Sequence, residues 1–265
     1  MQQSLLNHFP GWWQDLAQHP EKYYLVLTDD MDSFYSCRFL HKRFGAEIGG
    51  FYEFGKGLYL SDRAKIEDRK LIYVDCSVVR DGEMCFDNHR TIFTNHMAIN
   101  PNSIFDRTDE KNYFKKYCGS TLMLLYALYK GDLSDLEKET LIAIDGFYIG
   151  WYRNNGAFKN INQFWLDLLE LDELIPILDK RNMKYFINLI GKYQLNEKIY
   201  IDKNKLFTFA DILPHDHFSL VMPTEMKWTT KKDIQKITVS NRSVFTAAEV
   251  FDGSYSADFI KRIAQ

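Results

Sequence analysis

The chain has 265 residues, 46% hydrophobic and 15% aromatic, with a formal net charge of −3 and a mean hydropathy of −0.34. This length allows one large domain or two smaller ones around a real core. No apolar run approaches the ~20 residues of a membrane span, and the slight negative charge argues against a long duplex-DNA footprint built on bulk positive charge.

Residues 1–22 read as an amphipathic lead-in with Phe9, Trp12, Trp13 and Leu16 on one side, expected to pack on the first domain. Met1 to Trp13 lacks a basic n-region and a signal-peptide apolar core, so the expectation is no export and a cytoplasmic location. Tyr23 to Leu27 is a continuous apolar run, read as a buried strand, and it is followed by Thr28-Asp29-Asp30-Met31-Asp32-Ser33. From Ser33 to Phe44, apolar residues recur at helical spacing (Phe34, Cys37, Leu40, Phe44), and Gly45 stands where a helix would stop. Asp30 and Asp32 therefore lie at the carboxyl end of a strand, the edge where open α/β sheets bind ligands. Carboxylates this close repel unless a cation or proton separates them, which suggests a metal. Asp and Ser also cap helices, so a plain capping turn stands beside that reading.

Glu47 to Phe54 reads as a second strand interrupted by Gly49-Gly50, and Lys56 to Arg69 as a polar connection. Leu71 to Val74 is a third strand ending in Asp75, and Met84-Cys85-Phe86 a fourth ending in Asp87-Asn88-His89-Arg90. In a parallel sheet these acidic and imidazole groups would converge on one edge. Asn102 to Phe105 is expected as a short fifth strand, and Lys111 to Tyr129 as a helix with Gly119-Ser120 inside it. Ser134-Asp135-Leu136-Glu137 is a capping box. It opens a helix carrying Asp145 within the apolar run Leu141 to Tyr148, where a carboxylate needs a partner: a local cation or a metal. Two more helices are expected at Asn160 to Ile177 and Arg181 to Ile190, with a domain boundary near Lys192. The tail changes character, with short strand-like runs (Ile199 to Ile201, Leu206 to Phe209, Phe218 to Met222, Ile237 to Ser240), closed by a helix from about Thr246 and another ending at Ile263, a small α+β unit.

The four cysteines, Cys37, Cys76, Cys85 and Cys118, form no Cys-x-x-Cys pair, so free thiols rather than zinc ligands are expected. His96, His215 and His217 invite metal readings of their own. His215 and His217 would share a face on a strand, but Pro214 precedes them and no matching ligands are visible.

In order and spacing, residues 23–150 resemble the DHH phosphoesterase superfamily, which includes RecJ-like single-strand exonucleases, oligoribonuclease-type phosphatases, cyclic dinucleotide phosphodiesterases and manganese pyrophosphatases. Asp30-Met31-Asp32-Ser33 is similar to its first motif, Asp75 to its bridging aspartate, Asp87-Asn88-His89 to its naming Asp-His-His, Gly119-Ser120 to its small-residue helix start and Asp145 to its fourth metal aspartate. Val239-Ser240-Asn241-Arg242-Ser243 resembles the phosphate-gripping strand of the associated C-terminal domain. The chain departs from the family at Val26 and Thr28, where a His and, in RecJ-like members, an Asp stand, and at Asn88, which replaces the first His of the naming motif. The Gly-Gly-Gly-His loop is absent, Asp252-Gly253-Ser254 being its nearest counterpart.

The resemblance implies an α/β fold. A mostly parallel sheet with helices on both faces would span 1–192 with its linker helices, and a smaller α+β substrate domain 193–265. It implies two Mn²⁺ or Mg²⁺ ions held by Asp30, Asp32, Asp75, Asp145, His89 and Asn88, with Asp75 bridging. Such ions, about 3.5–4 Å apart, serve an in-line phosphoryl displacement. His89 and Asp75 would be catalytic, and Arg90, Arg242 and Ser120 would contact the substrate, a short single-stranded nucleic acid or a small nucleotide. The alternative is a catalytically weakened relative that binds a nucleotide or partner. A haloacid-dehalogenase-type reading would make Asp30 a covalent nucleophile, but it leaves Asp87-Asn88-His89 without a role.

Overall fold

The computed structural model of the protein describes residues 1–53, 57–78, 82–89, 95–104 and 115–201, with the backbone of 207–209, 228–230, 247–249 and 255–257. The apolar run at the start of the fold forms β1 (Tyr23–Thr28), buried along its whole length. It pairs in parallel with β2 (Glu47–Glu53) on one side and β4 (Lys70–Val74) on the other. β5 (Met84–Phe86) and β6 (Ala98–Ile99) continue in parallel beyond β4, and β3 (Gly57–Ser61) runs antiparallel to β2. The resulting order is β6-β5-β4-β1-β2-β3, extended at the β3 edge by an antiparallel strand at Trp228–Thr230. The chain thus leaves β1 for one side and returns to the other, making β1 and β4 the switch point where a crevice opens beyond the strand ends.

The lead-in folds as α1 (Gln3–Leu6) and α2 (Trp12–Gln18). Trp12 packs on Phe86 with ring centroids 4.8 Å apart and donates its indole N–H to the Met97 carbonyl. α3 (Met31–Phe44) connects β1 to β2 and ends at Gly45, whose φ of 78° only a glycine adopts without strain. α4 (Asp62–Ile66) follows β3. The remaining helices are α5 (Thr121–Tyr129), α6 (Asp135–Ala143), α7 (Phe147–Tyr152), α8 (Lys159–Leu169), α9 (Ile175–Lys180) and α10 (Met183–Lys192). Their apolar sides join Tyr23, Leu25, Leu27, Ile72, Val74 and Phe86 in one large core. The opposite sheet face holds a smaller cluster of Val26, Tyr52, Leu58, Tyr73, Cys76, Val78 and Cys85, to which no described helix contributes. A mixed α/β fold with a mostly parallel sheet matches the expectation. The second helical layer does not appear among the described residues.

Several local expectations need correction. The connection at Lys56 to Arg69 contains β3 and α4, because Leu58 is buried and Ser61 caps α4 by accepting from the Ala64 amide. β2 runs through Gly49-Gly50 without interruption. The bulge is in its pairing with β1, where the Tyr24 ring lies so close that a Cβ at Gly49 would sit 2.3 Å from it. The fifth parallel strand is Ala98–Ile99 rather than 102–105. Asn100 accepts from the Asn102 amide and Pro101 opens a 3-10 turn, so the chain leaves the sheet there. Helix α5 begins only at Thr121, with Ser120 as its cap, while residues 115–120 are not α-helical. The segment expected as one helix from Asn160 to Ile177 splits into α8, a 3-10 turn and α9. The capping box at Ser134 and Glu137 is present with both reciprocal hydrogen bonds. Cys37, Cys76 and Cys85 are buried free thiols. No described helix is long and apolar enough to cross a membrane.

Beyond Lys192, β7 (Ile199–Ile201) and β8 (Phe207–Phe209) form a hairpin, and 247–249 pairs with 255–257. The helix expected from about Thr246 is replaced by these antiparallel strands, while the expectations at Phe218 to Met222, Ile237 to Ser240 and Arg242 lie outside the described residues.

Ser33 joins the two switch-point strands. Its hydroxyl accepts from the Thr28 amide at 2.8 Å and donates to the Val74 carbonyl at 2.6 Å, all within the buried interior. Ser33→Ala leaves a buried donor and a buried acceptor unpaired, and is expected to cost about 2 kcal/mol. Urea unfolding should show a lower midpoint at unchanged slope. A midpoint equal to that of the wild type would show that the hydroxyl does not hold the strands together.

Candidate metal centre

Three carboxylates meet at the carboxyl edge of the switch point. Asp32 comes from the first turn of α3, Asp75 directly follows β4, and Asp145 lies between α6 and α7. One oxygen of each lies within 4.8 Å of the other two. A second group, Asp75, Asp87 and His89, satisfies the same criterion, so Asp75 belongs to both.

Asp32 is almost wholly buried, and its position is set by the N-terminus of α5. Its carboxylate accepts from the amides of Thr121 (2.6 Å) and Leu122 (2.9 Å) and from the Ser36 hydroxyl (3.3 Å). Unpaired amides and the aligned helix dipole make such an end a natural seat for an anion. Ser120 caps the same turn by accepting from the Met123 amide, and Thr121 donates its hydroxyl to Asp75 at 2.9 Å. The Ser120 hydroxyl is therefore used by the helix, and Thr121 is a site residue that sequence inspection passed over.

Asp75 and Asp145 share an unusual backbone. Both have φ of 58°, in the left-handed region that costs an L-residue roughly 1 kcal/mol or more. Asp145, expected inside a helix, is instead an exposed residue at the break between α6 and α7, followed by Gly146 at φ 79°. The partner it needs is Asn88, whose amide donates to Asp145 at 2.6 Å and to the Gly119 carbonyl at 3.0 Å. Those two acceptors fix the orientation of the amide. The Asn88 Oδ1 is left buried and has no hydrogen-bond partner among the described residues.

Asp30 caps α3 by accepting from the Ser33 amide, so the capping reading holds for this residue. It lies at the rim of the centre, where Lys198 approaches it to 3.8 Å while bonding Asp29 at 2.9 Å. Lys198 was not singled out by sequence inspection. It lies 169 and 168 positions from Asp29 and Asp30, the residues it serves, and no local pattern marks it.

His89 Nδ1 is hydrogen bonded to Asp87 at 2.7 Å, leaving Nε2 as the other ring nitrogen. The second Asp87 oxygen accepts from Asn100 at 3.0 Å, and Asn100 also donates to the His89 carbonyl. Asn102 donates to the Asn88 carbonyl and accepts from the Tyr117 amide. This asparagine scaffold orients the loop. His96 is an exposed turn residue outside both groups. Arg90, His215 and His217 lie outside the described residues.

Burial raises the carboxyls of Asp32 and Asp75 well above the usual range. The charge of Asp75 adds to the effect on Asp32, and that of Asp30 to the effect on Asp75. Asp30 is raised by burial and by Asp145, against the pull of Lys198. Burial alone would lower His89, but the charges of Asp87, Asp75 and Asp145 and the Asp87 hydrogen bond outweigh it and push it up to about 10. Crowded, partly desolvated carboxylates of this kind are relieved by a cation.

Comparison of the chain with protein-family models, with curated proteins and with solved structures yields no match.

The raised carboxyls carry a pH signature. Above the unfolded aspartate value of about 3.9, the native state holds protons on Asp32 and Asp75 that the unfolded chain has released, so stability falls as pH rises towards the folded values. Metal-free protein is therefore expected to melt at a higher temperature as pH is lowered from neutral towards about 5. Asp75→Asn, which keeps an oxygen for Thr121 and tolerates a positive φ, should raise the neutral-pH melting temperature and flatten this slope. Calorimetry in chelator tests both, and a variant no more stable than the wild type would contradict the repulsion.

Proposed function

We propose that this protein is a divalent-metal-dependent phosphoesterase akin to the DHH superfamily, acting on a short single-stranded nucleic acid end or a small nucleotide. The observation that carries this reading is the meeting of the Asp32, Asp75 and Asp145 oxygens within 4.8 Å at the switch-point edge. The sequence resemblance adds to it as an analogy, since a fold hosts many chemistries.

The donor set fits the ion. Carboxylate oxygens form a hard site suited to Mn²⁺ or Mg²⁺. Asp32 gives its α5 amides one bond per oxygen and keeps further lone pairs. The unpartnered Asn88 Oδ1 is a neutral oxygen close to Asp145. A bound divalent ion supplies an activated water and neutralises phosphoryl charge. The chain's own residues do the rest. Asp87 holds His89 by Nδ1, so Nε2 is oriented to donate a proton to a leaving oxygen. The asparagine scaffold keeps that loop in register with Asp75. The rim, closed on one side by Lys198, suits a small anion better than a duplex, and the net charge of −3 offers little general attraction to polyphosphate.

One observation favours the weakened, nucleotide- or partner-binding alternative. Asn88 spends its amide on Asp145 and Gly119, where the family carries an imidazole.

Hydrolysis of short oligonucleotides, cyclic dinucleotides or pyrophosphate is expected to require Mn²⁺ or Mg²⁺ and to be lost in Asp75→Ala. Undiminished turnover in that variant, or in excess chelator, would refute the reading. Saturable nucleotide binding without turnover of any of these substrates would support the alternative. Asn88→His should tighten Mn²⁺ binding by roughly tenfold, since an imidazole is a better ligand than an amide oxygen. Calorimetric titration decides this, and equal or weaker binding in a folded variant would remove Asn88 from the ligand set.

A further inference from the structure

Helix α8 carries a buried polar side chain on its apolar side, Asn162. Its Nδ2 donates at 2.8 Å to the carbonyl of Phe147, the first residue of α7. Its Oδ1 has no hydrogen-bond partner among the described residues and lies against Gly150, where a Cβ would sit 2.3 Å from it. Turning the amide over would set its oxygen against the Phe147 carbonyl, so its orientation is fixed. A glycine inside a helix weakens that helix. At Gly150 it lets α7 approach until a Cα–H faces the Asn162 oxygen.

Trp165 stands three positions further on, on the same side of α8. It donates its indole N–H to the Lys115 carbonyl at 3.0 Å and meets the Tyr117 ring edge-on, with centroids 5.4 Å apart. The Tyr117 hydroxyl donates to the Ser120 carbonyl and lies 2.5 Å from where a Cβ at Gly119 would be. One side of α8 thus braces two segments. Trp165 holds residues 115–120, and Asn162 holds the start of α7, directly after Asp145-Gly146. The Asn88 amide spans the same two segments, donating to the Gly119 carbonyl and to Asp145.

We propose that Asn162 is a positioning residue for Asp145. By holding Phe147, two residues along, it fixes the break between α6 and α7 that brings the Asp145 carboxylate to Asn88. It does so without touching that carboxylate. The φ of 58° at Asp145 is kept by this hold from outside, against the preference of the residue itself. The bearing of Asn162 on metal binding rests on the metal-centre reading above.

Nuclear magnetic resonance of the Asn88 side-chain amide, in the metal-free full chain, tests the placement. Asp145→Ala supplies the signal of the amide without its carboxylate. In Asn162→Ala the signal is expected to move towards that position. Gly150→Ala/Asn162→Ala refills the space of the lost amide oxygen but not the bond to Phe147. It should melt closer to the wild type than Asn162→Ala does, with the Asn88 signal still displaced, and it carries the test alone if the single variant fails to fold. An Asn88 signal unmoved in Asn162→Ala, or at its wild-type position in the double variant, would overturn the proposal. Calorimetric titration of the double variant with Mn²⁺ should show binding weaker by about tenfold, as when a hydrogen bond that orients a ligand is removed. Unchanged Mn²⁺ affinity with a displaced Asn88 signal would take Asp145 out of the ligand set while leaving Asn162 its placing role. No binding of Mn²⁺ by the wild type would overturn the metal centre, and the Asn88 signal would still decide the proposal.

Discussion

Everything at the switch point depends on the Asp32 carboxylate seated on the N-terminus of α5. The two partners are 89 and 90 residues apart in sequence. Burying a carboxylate costs several kcal/mol unless hydrogen bonds replace water. Here the first free amides of a helix do so, and the helix in turn has donors that need an acceptor. One contact therefore fixes the register of α5 against α3 and β1. It also brings Thr121 to Asp75, so the residues following β1 and β4 are tied through the same helical turn.

The remaining carboxylates are held by backbone that resists them. Asp75 and Asp145 both adopt a positive φ that a glycine would accept more readily. At Asp75 the conformation is locked by its amide donating to the Phe86 carbonyl and by its carbonyl accepting from the Thr28 hydroxyl at 3.3 Å. At Asp145 it breaks what would otherwise be one continuous helix and exposes the side chain at the rim. Strain retained at two residues that also repel each other runs against stability, and such conflicts between local and global preference gather at functional sites.

The strand ends could be read from the sequence because a buried parallel strand is a continuous apolar run and its carboxylate stands out at the end. That logic located Asp30, Asp32, Asp75 and Asp87 at one edge. It failed where the determining force is not periodic. β3 was hidden because three apolar residues between glycine and serine are too short to distinguish from a loop. Asp145 was assigned to a helix interior because the apolar run Leu141 to Tyr148 was given more weight than the turn signal of Asp145-Gly146, both of which take a positive φ. Lys198, Thr121 and Asn100 were invisible for a different reason. Each acts through side-chain contacts to residues distant in sequence or in role, and a lone Lys, Thr or Asn has many uses.

The charge balance of the edge separates a site from a structural network. Buried ionic groups that serve stability come paired, because leaving one partner out costs more than the pair returns. Glu139 shows that pattern in this chain, with Arg181 at 2.7 Å on one oxygen and the Tyr185 hydroxyl on the other. At the switch point the described basic groups are Lys198 and His89, whose imidazole its acidic neighbours push up, and each is committed: Lys198 to Asp29 and Asp30, His89 to Asp87. Asp32 and Asp75 receive hydrogen bonds but form no ion pair with a lysine or arginine among the described residues, and burial pushes both towards the protonated form. A fold selected for stability alone would place apolar or amide side chains there at little cost. Three carboxylates kept within reach of one another, two of them on strained backbone, are an arrangement that a cation from solution would relieve.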